Sequence, residues 1–148
     1  MRIIIKYGWL VVVALAILAG ISSFFVPLYQ RDVKALTDFS TSYETFDKAI
    51  SDFSADETSN SQERALNALA ELDMKASFKI SSLIKYEKEL MSQAREVADL
   101  SKKELDSLGI YIEEIKSRSA GLDKLAEEYI DLNNRRKAAY ARFQELVR

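Results

Sequence analysis

An all-α fold is predicted, with one N-terminal membrane-spanning helix followed by an elongated antiparallel helical bundle or coiled coil. Three observations carry that expectation. Of the first 28 residues 21 are apolar, against an ordinary soluble composition in the other 120. The chain has one proline and four glycines, and only Gly109 and Gly121 lie beyond Leu28. Apolar residues then recur at helical spacing almost to the C-terminus. Folds rich in strands and turns need far more glycine and proline, and are excluded.

Residues 1–6 form a short basic leader, with Arg2 and Lys6. From Tyr7 to Leu28 the chain reads YGWLVVVALAILAGISSFFVPL, without a charge. At ~1.5 Å per residue this run spans about 33 Å, enough for a hydrocarbon core. Lys6, Tyr7 and Trp9 on one side, and Tyr29 and Arg31 on the other, are the expected interface anchors, because such groups settle at headgroup level. A cleaved signal peptide is the rival reading. Its best small-x-small site, Gly20-Ile21-Ser22, would leave Phe24, Phe25 and Val26 near the new terminus. Basic residues are nearly balanced across the run. The leader and the acids that follow it (Asp32, Asp38, Glu44, Asp47) favour a single-pass chain whose C-terminal domain, residues 29–148, lies outside the cytoplasm.

The first stretch of that domain has the clearest pattern. Leu36, Phe39, Tyr43, Phe46, Ile50 and Phe53 are spaced 3, 4, 3, 4, 3, an a/d seam that must be covered by the chain itself or by a partner. The polar run 54–63 ends it, and Ser59-x-x-Gln62 or Asn60-x-x-Glu63 fits a capping box for the next helix. Beyond it, Leu66, Leu69, Ala76, Ile80, Leu83, Leu90, Ala94 and Val97 continue the helical period, with Leu105, Leu108, Ile112 and Ile115 after them. Gly121 is the better glycine break, since Lys116 and Arg118 precede it and Asp123 follows.

Lengths decide the topology. A helix over 29–55 rises about 40 Å, so a straight return helix from 61 would reach the membrane near Glu87 with half its length left. A turn near Lys85–Lys88 gives four segments, 29–55, 61–86, 89–118 and 121–148, running up-down-up-down. One very long helix over 61–119 is the alternative, because no glycine or proline marks that turn.

Composition narrows function. The chain has no His and no Cys, which removes disulfides, zinc and haem ligation, and His- or Cys-based catalysis. No catalytic, cofactor-binding or metal-ligating residue is expected, and no small-molecule substrate is inferred. The acidic loop 56–60 lacks calcium-loop spacing. Glu113-Glu114 and Glu127-Glu128 read as solvated faces. Net charge is −2, which does not favour nucleic acid. Residues 132–148 are locally basic, and Arg135, Arg136, Lys137, Arg142 and Arg148 are candidates for an acidic neighbour or an anionic surface. The expectation is a membrane-anchored helical scaffold or adaptor, not an enzyme, that docks a partner protein or itself. A ligand-sensing bundle is the alternative. It would need an output across the membrane, and no second apolar run follows.

Overall fold

The computed structural model describes the backbone of residues 2–81, 84–117 and 121–148, with side chains except those of 2–14 and 21–24. Four helices account for nearly all of it: α1 (Arg2–Asp56), α2 (Ser59–Ala76), α3 (Glu87–Ser117) and α4 (Leu122–Val147). No strand occurs among the described residues. The helices pack as an antiparallel bundle, α1 on α2, α2 on α3 and α3 on α4.

Rings close the remaining side, between α1 and α4. Tyr43 and Tyr140 stack with centroids 3.6 Å apart, and Phe39 meets Phe143 edge-on at 4.8 Å. The six positions of the 3-4 pattern in α1 are all buried, Phe39 and Phe46 completely. Opposite them α2 presents mostly small residues, Ser61, Ala65, Ala68, Leu72 and Ala76. Large rings on one helix and alanines on its neighbour let the two backbones approach closely. Leu66, expected on the inner face, is instead half exposed, and Leu69 is only partly covered. Leu66 lies off the stripe Ser61, Ala65, Ala68, Leu72 and Ala76 that faces the core.

Each helix ends for a local reason. Glu57 takes a left-handed backbone (φ 51°) and bonds its N–H back to the Phe53 carbonyl at 3.0 Å, stopping α1. Thr58 is the N-cap of α2, and its hydroxyl accepts the Ser61 N–H at 3.2 Å. The cap therefore lies one or two residues before the Ser59 and Asn60 positions expected from a capping box. Asp56 makes that possible by accepting from Thr58 N and Oγ1, both at 3.2 Å.

The alternative of one very long helix is overturned, because α2 stops at Ala76 and helix resumes only at Glu87. Tertiary anchors replace the missing breaker. Phe78 packs edge-on against Phe39 at 6.0 Å, Ile80 is buried, and the Ser81 N–H donates to the Asp32 carboxylate at 2.9 Å. Tyr86, with φ 67°, turns the chain into α3, and its carbonyl accepts the Leu90 N–H at 2.8 Å. The break is thus longer than the expected Lys85–Lys88 turn and begins earlier. Gly121 (φ 101°) precedes α4, whereas Gly109 is helical. Leu83, Arg118 and Ser119 lie outside the described residues.

Among the described residues no helix is long and apolar enough to cross a membrane. Residues 7–14 and 21–24 of the run expected to do so have side chains outside the description, as do Lys6, Tyr7 and Trp9. The described part, residues 15–20 with Phe25 and Val26, is exposed on α1 below the bundle. Pro27, at the end of the run, is accommodated inside the helix.

Candidate functional site

Two places gather chemistry: a charge cluster inside the bundle, and the end of the bundle from which residues 2–28 of α1 extend. The first is built by the α1 seam and the inner faces of α3 and α4. One turn beyond the Tyr43–Tyr140 stack, Arg136 enters from α4 and is fully buried. Its Nε donates to Glu104 of α3, also fully buried, and its Nη2 donates to Asp47 of α1 at 2.7 Å. The guanidinium also lies over the Tyr43 and Phe46 rings, 5.1 and 5.4 Å from their centroids.

The environment sets the protonation states. Burial opposes the charge on Arg136, but the contact with Glu104 outweighs it and holds the guanidinium charged. Burial pushes the Glu104 carboxyl up from its ordinary value while Arg136 draws it back. Tyr43 is pushed up to about 12, chiefly by burial and against the pull of Arg136. Two acids on two helices hold one cation from a third, so the cluster fixes the register of α1, α3 and α4. Arg136 is therefore withdrawn from the set of anionic-surface candidates, because its counter-charges are Glu104 and Asp47.

Arg135 and Lys137 flank it and are exposed, and Arg135 pairs with Asp131 at 3.6 Å. Both share the level of Asp47, which at ~1.5 Å per residue stands about 28 Å beyond Leu28 along α1. Arg142 and Arg148 are exposed nearer the other end.

At that end, Asp32 is buried beneath the 77–86 connection. Burial pushes its carboxyl up, but the hydrogen bonds from Ser81 and the adjacent Arg31 outweigh this and hold it below the usual carboxylate range. Arg31 reaches Asp32 at 3.2 Å and is itself exposed, as is Tyr29. Two surface clefts open here. One, of about 470 Å³, is largely apolar and runs between Tyr29, Val33, Leu36, Ile84, Leu90 and Leu146. The other, of about 670 Å³, is lined by Tyr86, Lys88, Glu89, Gln93, Arg142 and Glu145. At the opposite end Lys116 Nζ donates to the Glu57 carbonyl at 3.4 Å, which ties the end of α3 to the α1–α2 turn.

Phe39, Phe46 and Phe143 are completely buried in the bundle. No group of three acidic side chains able to hold a metal ion occurs among the described residues. Periodicity does not mark Glu104 or Asp32 as buried acids. Their only signal is position, one turn from buried leucines in α3 and one turn before Leu36 in α1. No family model matches the chain, and no curated protein or solved structure is significantly similar to it.

Proposed function

We propose that this chain is a membrane-anchored helical scaffold or adaptor, single-pass, whose bundle lies outside the cytoplasm and docks a partner protein or a second copy of itself. The observation that carries the reading is the two-part character of α1. Leu15, Ile17, Leu18 and Val26 are exposed on it, whereas from Leu36 to Phe53 its apolar face is covered by α2, α3 and α4. An uninterrupted helix with exposed apolar side chains below a finished bundle needs a second solvent, and a bilayer supplies one.

The seam is used within the chain, so a partner would meet the outer faces of the bundle. A sensor would need room for its ligand in the interior, and the complete burial of Phe39, Phe46 and Phe143 disfavours it. Alkaline carbonate extraction of native membranes, with protease added to intact spheroplasts, tests the proposal. The chain should stay in the pellet and be cut. Release by carbonate, or a mature terminus near Ser23, would overturn the anchor, and protection from protease would reverse the orientation.

A further inference from the structure

We infer that the anchor end of the bundle is a bilayer-contact face, in which residues 84–88, leading into α3, and the end of α4 rest on the headgroups of anionic phospholipid. This rests on the anchor reading above and adds to it a second site of membrane contact within the folded domain.

The height of the connection carries the argument. Ser81 is pinned to Asp32, four residues past Leu28, hence about 6 Å from the end of the apolar run. From there α3 starts at Glu87, 29 residues or about 43 Å before Lys116, whose ammonium meets the Glu57 carbonyl; counted back from Glu57, that sets Glu87 near the level of Leu28. The headgroup layer on one side of a bilayer is about 5–8 Å thick. If residues 7–28 span, the connection descends from Phe78, on Phe39 about 16 Å out, to reach that layer at Ser81.

Its side chains suit the layer. Tyr86, held at φ 67°, is 44% exposed, and the Lys85 ammonium sits 4.6 Å from its ring centroid. Rings of this kind partition to the interface, with the polar tip toward water. Lys85, Lys88 and Arg148 are exposed cations near this end, opposed by Glu87 and Glu89, whereas Arg142, beside Phe143 on Phe39, stands about 16 Å past Leu28. The balance favours an anionic surface. The apolar cleft from Tyr29 to Leu146 opens beside the same connection, at headgroup level and above.

Because the chain lacks cysteine, single nitroxides can be placed at will on the full-length protein. Labels at positions 18, 57 and 87 are compared in vesicles of phosphatidylcholine alone and of phosphatidylcholine with phosphatidylglycerol, by collision with oxygen and with a water-soluble nickel complex. Position 18 reports the anchor. Position 57 is the aqueous reference at the far end. The inference expects position 87 to favour oxygen over nickel relative to 57, more strongly with phosphatidylglycerol, and to lose that extra preference in Lys85→Glu/Lys88→Glu. If 18 is in the bilayer and 87 behaves like 57, the contact face is wrong and the anchor stands. If 18 is aqueous, the anchor falls and this face with it. A preference at 87 that ignores both lipid charge and the lysine changes would overturn the anionic part.

Discussion

Asp32 and Ser81, on the first helix and on the connection between the second and third, are joined by a 2.9 Å hydrogen bond from backbone N–H to carboxylate. That bond terminates no helix by itself. It fixes where the chain turns between α2 and α3, and it does so with a carboxylate held below its ordinary value.

The pH dependence follows from that direction. A carboxyl whose pKa is lower in the folded than in the unfolded chain adds stability above the unfolded value, here near 3.8, and loses it as pH falls through the folded value. Asp38, held down mainly by Lys34, and Asp56, held down mainly by Ser61, act in the same sense. Unfolding of the full chain in detergent should therefore show stability falling below about pH 4. Asp32→Asn retains an oxygen for the Ser81 N–H but has no charge to titrate, so its acid limb should be shallower. An unchanged slope would assign the acid sensitivity to other groups.

Core packing makes a second prediction. Phe46 is completely buried and carries Arg136 over its ring, so Phe46→Ala should cost about 3–5 kcal/mol in urea unfolding. Asp52, partly exposed on the same helix, should change stability by less than about 0.5 kcal/mol when replaced by alanine. Equal effects would mean that the covered face of α1 has been misassigned.

The part of the fold legible in the sequence is the part written in periodicity. The 3-4 spacing from Leu36 to Phe53 coincides with buried residues, and Gly121 marks a turn whose φ of 101° suits glycine. The buried face of α2 is obscure in the sequence because Ala65 and Ala68 carry little hydropathy, while the larger Leu66 points outward. The break at 77–86 is obscure because its causes are Phe39 and Asp32, far away along the chain. Arg136 looks like a surface residue because a basic cluster is usually solvated, and its partners come from two other helices. Pairings of that kind leave no trace in local spacing.

The buried charge cluster supplies a third prediction. Arg136→Met strands Glu104 in a low-dielectric interior, and Glu104→Met leaves Arg136 only the half-exposed Asp47, so either change alone should cost about 3–5 kcal/mol. The double replacement removes both charges and fills similar volume. Asp47, whose side chain is 43% exposed, can then turn to water. The double variant should thus lie within about 1 kcal/mol of the wild type, or above it. Additive losses in the double-mutant cycle would show that Arg136 and Glu104 do not act as a pair.

The two glycines beyond Leu28 make the last prediction, with opposite signs. At Gly121 an added Cβ would meet nothing within 4 Å, yet the left-handed backbone strains any L side chain. Gly121→Ala should cost about 1–2 kcal/mol through conformation alone. Gly109 lies in the interior of α3 with ordinary helical geometry, and its Cβ would meet only the end of the Gln62 side chain at 4.0 Å. Alanine there fits without displacement and reduces the freedom of the unfolded chain, so Gly109→Ala should stabilise by about 0.5–1 kcal/mol. Because neither added methyl group meets a close neighbour, the difference in unfolding free energy measures backbone conformation directly. A stabilising Gly121→Ala would mean that the turn into α4 takes a right-handed backbone, and a destabilising Gly109→Ala would place α2 closer to α3 than the 4.0 Å approach of Gln62 allows.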